Sequence, residues 1–134
     1  MLKKLAITDL LATIQKQIEK NTNYPCIDNP INQKSPFYYM ELINKQEANT
    51  KTMWCEKFSV VIHVISEPFT GNTQNYDMIS ALEEAMTEEL SLPEPYTVIS
   101  QVETGINARQ TDETGEKHSV ILFEITVCYG YRIK

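Results

Sequence analysis

From His118 to Arg132 the chain reads as one β-strand, and that strand is too long for a chain of 134 residues to need for its own core. Ile121, Phe123, Ile125, Val127, Tyr129 and Tyr131 alternate with Leu122, Glu124, Thr126, Cys128 and Gly130. The period of two gives one apolar face and a second face that turns polar halfway along. At ~3.3 Å per residue the run spans roughly 45 Å, more than twice a typical strand. A strand of that length implies a neighbour outside its own core, such as another copy of the chain. The sequence speaks of assembly before it speaks of chemistry.

The rest of the chain is that of one ordinary globular domain, residues 1–134, with 42% hydrophobic and 22% charged residues. A formal charge of −6 argues against nonspecific nucleic-acid binding, which needs clustered Lys and Arg to release counterions. Cys26, Cys55 and Cys128 are an odd, widely spaced set without a C-x-x-C pair. They read as reduced intracellular cysteines, neither a disulfide frame nor a zinc site. Met1-Leu2-Lys3-Lys4 and the apolar run after it look superficially like a signal peptide. Asp9 breaks that run and no small-x-small cleavage site follows. No stretch approaches the ~18 apolar residues of a membrane helix, so the expectation is a soluble, cytoplasmic protein with no membrane partner.

Leu2, Leu5, Ala6, Leu10, Ile14 and Ile18 recur at helical spacing, which predicts an amphipathic helix over 2–20 packed on a sheet. Pro25 and Pro30 make 21–35 a loop. Phe37–Ile43 is a strand entered through Pro36, and Phe58–Ser66, apolar on both faces, is a central strand. Between them 46–57 reads as polar and flexible except for Met53, Trp54 and Cys55. Asn75 is a candidate N-cap for a second helix, with Asp77 near its positive start. That helix, Tyr76–Leu90, turns Ile79, Leu82, Ala85, Met86 and Leu90 inward and ends before Pro93 and Pro95. Tyr96–Glu103 is a third strand, with Tyr96, Val98 and Val102 on one side. Asn107–Lys117 reads as an extended polar loop. The order helix, strand, strand, helix, strand, strand predicts an α+β fold. Its four-stranded, mostly antiparallel sheet carries two α-helices on one face and long flexible loops.

Catalytic constellations are lacking at the level of sequence. His63 lies mid-strand between Ile62 and Val64, where a histidine usually packs. His118 adjoins Ser119, but no G-x-S-x-G elbow surrounds it. Cys55 has no histidine or helix start beside it in sequence to activate a thiol. Glu83, Glu84, Glu88 and Glu89 read as the solvated face of a helix, with no third ligand for a metal. Gly71, Gly105, Gly115 and Gly130 are isolated, which excludes a phosphate-cradling loop. Two segments exceed what a plain core requires. Met53 and Trp54 in a polar loop read equally as partner anchors or as packing under their own loop. Arg109, Asp112, Glu113, Glu116 and Lys117 stand in a segment with an entirely polar middle, suited to ordering on assembly.

The layout resembles a phage family, the small tail-completion (tail terminator, or tail-to-head joining) proteins of long-tailed siphophages. The resemblance rests on the helix Leu2–Ile18 and the Pro-aromatic strand Ser35-Pro36-Phe37-Tyr38-Tyr39. It continues through the strand Phe58–Ser66, the helix Tyr76–Leu90, the polar Arg109-Gln110-Thr111-Asp112, and the run His118–Ile125. It covers nearly the whole chain as a pattern, without an invariant motif. It implies a non-enzymatic virion protein without cofactor or metal, which caps the tail tube as a ring, usually hexameric. Its implied partners are other copies of itself, the tail tube protein and the head connector or stopper, with DNA passing through unbound. Ring closure needs a head-to-tail contact, for which an overhanging edge of the last strand is suited. The interface residues expected on this reading are Met53, Trp54, Arg109, Asp112, Glu113, Tyr129 and Tyr131.

Other readings stand beside it: a head-side connector or stopper of the same neck, a small cytosolic enzyme using His63 or His118 as general base, and a ligand-binding module.

Overall fold

The computed structural model describes residues 3–131, the side chain of Asn107 excepted; Leu2 and Arg132, read above as part of the first helix and the last strand, lie outside them. Two helices and five strands follow in the order α1 (Ile7–Asn21), β1 (Cys26–Ile27), β2 (Phe37–Glu47), β3 (Met53–Ile65), α2 (Thr73–Ala85), β4 (Thr97–Thr111) and β5 (Lys117–Tyr131). The sheet runs β1-β2-β3-β5-β4. All pairs are antiparallel except β1 with β2. The α+β class and the four long strands agree with the sequence reading. The fifth strand is a correction, and its cause is local. Glu19 on α1 accepts from the Cys26 amide at 3.0 Å and Gln15 donates to the Cys26 carbonyl at 2.8 Å, so two helix side chains hold the segment against β2.

The core lies between the helices and one sheet face. Leu10, Ile14 and Ile18 of α1 and Met78, Ile79 and Leu82 of α2 meet Tyr38, Met40, Phe58, Val60, Ile62, Ile121, Phe123, Ile125 and Val127. Each fully buried side chain of this kind contributes roughly 1.5–3 kcal/mol relative to exposure. Helix α1 starts later than its apolar spacing suggests. The Tyr96 hydroxyl donates to the carbonyls of Lys3 and Lys4 at 3.1 and 3.3 Å, and Leu5 enters the core from an extended lead-in. Helix α2 is displaced toward the N-terminus. The Gln17 amide donates to the carbonyls of Ala85 and Glu88, and Gln101 to those of Met86 and Glu88. These captured carbonyls end the helix a turn before the sequence pattern runs out.

Two expected loops are hairpin arms. Strands β2 and β3 pair out to Glu47 and Glu56, leaving only 48–52 as a turn. Strands β4 and β5 pair from Thr97 with Cys128 to Thr111 with Lys117, leaving 112–116. Backbone pairing stabilises a strand that has little apolar surface, which is why these arms carry no hydrophobic signature. Strand β5 is also not an edge. It pairs with β3 on one side and β4 on the other, so its length is answered within the chain. The outer edge belongs to β4. Register shifts at Val98/Ser100, Glu103/Ile106 and Ile106/Ala108 mark that strand as bulged. The first bulge turns Val102 away from the core, and it is half exposed.

Candidate functional site

The two hairpin turns lie at opposite ends of the sheet, since Met53 pairs with Tyr131 at one end and Ile65 with His118 at the other. The expected interface residues divide between these ends: Tyr129 is buried, Met53, Trp54 and Asp112 are half-buried, and Arg109, Glu113 and Tyr131 are exposed.

At the 48–52 end, Trp54 packs half-buried against the core cluster. With Lys4, Glu47, Asn49, Cys55, Glu56 and Tyr129 it lines a small cavity of about 160 Å³. Of the two readings open for Trp54, packing is the one the geometry favours. Tyr129, expected at an exposed strand end, is buried, because its position in the alternation turns it toward the helices. Its hydroxyl donates to the buried carboxylate of Glu56, which Lys45 and Lys4 approach at 3.6 and 3.8 Å. Burial first, and the Glu56 carboxylate second, push the Tyr129 phenol well above its usual range. Cys55 and Cys128 form a disulfide across β3 and β5. This corrects the expectation of reduced cysteines. Spacing of 73 residues hides the pair from sequence, whereas the sheet register sets the two side by side. Cys26 is free and buried, its thiol pushed up to about 12 by burial and then by Glu19 and Asp28. Met53 is half-buried and Tyr131 is exposed, so Tyr131 alone of the expected tyrosines faces solvent.

At the 112–116 end, Arg109 is a brace. Its guanidinium lies 4.7 Å from the Tyr76 ring centre. It donates to the Tyr76 hydroxyl (3.1 Å), Asn72 Oδ1 (3.3 Å), Asn75 Oδ1 (3.4 Å) and Ser119 Oγ (3.2 Å). Asn75, expected as an N-cap, sits inside the first turn of α2, fully buried, and donates to the carbonyls of Val64 and Lys117. Asp77 lies beyond that first turn. Ser119 donates to Asn75 Oδ1 at 2.6 Å on the helix side of the sheet, so no Ser–His pair forms with His118. Glu113 is exposed, and Asp112 turns back toward His118, 3.6 Å from its Nδ1.

Sequence reasoning missed the contact between the two histidines. His63 Nδ1 and His118 Nε2 are 2.7 Å apart, and Glu41 Oε1 lies 2.8 Å from His63 Nε2. The only available signal was the antiparallel register of β3 and β5, which needs the fold. The row lies on the sheet face away from the helices. The largest cavity described, about 370 Å³, is elsewhere, an open groove between the helix C-termini lined by Lys16, Gln17, Lys20, Glu88 and Glu89. Among the described residues no group of three or more His, Cys, Asp or Glu side chains is disposed to hold a metal ion. Among the same residues no helix is long and apolar enough to cross a membrane.

The model of a phage tail terminator family, described as "Putative tail termination protein", matches residues 1–134. The chain belongs to this family. It is therefore a structural protein of the phage tail, a component of the virion and not an enzyme. In fold it is similar to a chain solved within the virion of a native gene transfer agent (GTA) particle, with a TM-score of 0.75 at 16% identity. The match covers 94% of this chain and 99% of that one. No curated protein sequence matches.

Proposed function

We propose that copies of this chain close the end of the finished tail tube as a ring and offer the head connector its docking surface, with DNA passing through the lumen unbound. The observation that carries this reading is the placement of the two hairpin turns at opposite ends of one braced sheet. A cap between tube and connector must meet two partners at once, and a rigid sheet with a turn at each end has the form for it. Tyr131 and Met53 serve one end, Glu113 and Asp112 the other. Trp54, Tyr129 and Arg109 act behind them by holding the hairpins in place.

Lateral contact between copies falls to the outer edge of β4 instead of β5. That edge has no strand neighbour among the described residues, and Ile99, Val102 and Ile106 along it are 51%, 50% and 49% exposed. Its bulges oppose indiscriminate strand addition, so the contact is through side chains more than through a long ladder. A closing head-to-tail contact gives a ring, hexameric by the resemblance, and assembly takes place in the host cytoplasm. The net charge of −6 suits a conduit for a polyanion, since acidic walls repel phosphates over about 8 Å at physiological salt.

Electron microscopy of the purified protein mixed with headless tails tests the proposal. A ring on the head-proximal end of the tube is expected, and Ile106→Lys in β4 should abolish it while leaving the fold intact. Binding to heads but not to tails would move the protein to the head side of the neck.

A further inference from the structure

Phe69 stands in the loop 66–72 between β3 and α2 and is 96% exposed. Its backbone is left-handed (φ 68°), a conformation that bulky side chains rarely adopt. Folding gains nothing from either feature: the phenyl group stays in water and the backbone is strained. Nor is the loop slack. Gln74 of α2 accepts from the Glu67 amide at 2.6 Å and donates to the Glu67 carboxylate at 3.4 Å. The Thr70 hydroxyl donates to the Glu67 carbonyl at 3.0 Å, and Pro68 between them has a fixed φ. The phenyl group is held in water by bonds on both sides of it.

The same loop adjoins the β4–β5 turn. The Ser66 amide donates to the Lys117 carbonyl at 3.0 Å. A side chain at Gly115 would come within 3.5 Å of the Pro68 Cβ and 3.8 Å of the Phe69 ring. Phe69 thus joins the surface that Asp112 and Glu113 present at this end of the sheet. Around it the charge is acidic, with Glu67 and Glu113 exposed and Asp112 and Glu116 half-buried. Arg109 is engaged on Tyr76 and Asn72, and Lys117 on Thr111. That charge decides among the uses of an exposed aromatic. A base-stacking platform or a membrane anchor needs cations beside it, because phosphates and anionic headgroups must be neutralised. An acidic rim instead suits a protein pocket with a basic rim.

We propose that Phe69 is the anchor by which this chain docks into an apolar, basic-rimmed pocket on the head connector. The inference rests on the reading of the chain as a cap, and adds which side chain carries the head-side contact. A finished tail waits in water until a head arrives, so a head-side anchor has to be tolerable while uncovered. One phenyl group among Glu67, Thr70, Asn72 and Glu113 makes no continuous apolar patch. Once seated, an aromatic side chain that fills a pocket dominates the contact around it. Repetition around a ring of copies multiplies what is small in each one.

Tails assembled without this protein, supplied with the purified full chain and then mixed with completed heads, test the anchor. Phe69→Gly relieves the backbone, so its melting temperature should equal or exceed that of wild type. By electron microscopy the variant should still form rings on tube ends, while joining to heads falls roughly tenfold or more, the scale of a lost pocket-filling aromatic. Glu67→Lys/Glu113→Lys should weaken joining more at low salt than at high salt. If Phe69→Gly lowers the melting temperature, Phe69→Asn, also at ease in the left-handed region, takes its place. A loss of stability in both makes the phenyl group part of the chain's own packing and overturns the proposal. So does unchanged joining, or joining that ignores the two reversed charges. Loss of the ring from the tube overturns it too, by assigning Phe69 to the tube or to a neighbouring copy. Absence of a ring with wild type is failure of the cap reading itself. Isolated heads then decide, upholding the anchor if they bind wild type and not Phe69→Gly, and overturning it otherwise.

Discussion

The two ends of the sheet are built from opposite materials. At the 48–52 end a disulfide joins β3 to β5, Trp54 leans on the core, and a buried phenol–carboxylate pair closes the space beneath. At the 112–116 end the work is done by a guanidinium, two asparagines, a serine and two histidines. Covalent and apolar ties keep their strength across ordinary pH and salt, whereas polar and ionic ties respond to both. The first end also carries the Glu56 ion pairs, but the disulfide holds it whatever their state, so it is the fixed stop and the second end is conditional. A part that seats on one partner before meeting another gains from that asymmetry.

The largest expected effect comes from cutting the fixed end. The Cys55–Cys128 bond encloses 73 residues of chain separation, and chain-entropy reasoning gives about 4 kcal/mol for loops of that order. Denaturant unfolding of Cys55→Ala/Cys128→Ala, against wild type with and without reductant, should show a loss of about 2–4 kcal/mol. A variant as stable as the oxidised protein would mean that this end is held by packing alone. Next is Trp54→Ala. Truncation of a half-buried tryptophan should cost about 1–3 kcal/mol, below the range for full burial. Loss of tail joining at unchanged stability would instead restore Trp54 as a partner anchor.

At the conditional end Arg109→Lys is the sharper cut, since lysine cannot reproduce a fork that reaches Tyr76, Asn72, Asn75 and Ser119 together. A loss of about 1–2 kcal/mol is expected from the stacking and the missing bonds. Exchange should quicken along the outer half of β4 and leave the 48–52 turn unaffected. Equal loosening at both ends would refute the division drawn between them.

How far the sequence revealed this division depends on which force holds each part. The β5 alternation from Ile121 to Val127 and the stripe Leu10, Ile14, Ile18 are written in apolar residues, so strand, helix and core were legible. The arms at 44–47, 53–57 and 107–111 are held by backbone pairing that polar side chains do not advertise. Pairings across long separations, Cys55 with Cys128 and His63 with His118, arise from register alone. Val102 was misplaced because one bulge after Val98 exchanges the faces of the residues between it and the next bulge, at Glu103/Ile106. The expected interface list mixed solvent-facing Tyr131 and Glu113 with the inward Trp54 and Tyr129 and with Arg109, exposed yet bonded within the chain, since residue type does not distinguish an anchor for a partner from an anchor for the chain itself.

The smallest effect lies between the ends, where β4 meets α2. Glu103 has a buried Oε1 without a hydrogen-bond partner, and its carboxyl is raised to about 7 by burial and then by Glu83 beside it. The folded chain thus keeps a proton that the unfolded chain releases near 4.5. The resulting stabilisation is complete below about 4.5, fades as pH rises through about 7, and is absent above. His118 has the opposite slope, because its lowered proton affinity makes stability fall as pH drops below 6.5. Thermal unfolding of wild type between pH 5 and 8 therefore mixes two trends. Glu103→Gln removes one of them, so its melting temperature should rise relative to wild type at pH 8 more than at pH 5. What remains in that variant should be the rise with pH that His118 supplies, and His118→Gln added to it should leave the profile flatter still. A Glu103→Gln profile parallel to wild type would show that the carboxyl beside Glu83 is ionised in the folded chain at neutral pH, and the junction of β4 with α2 would then be as insensitive to protons as the disulfide end.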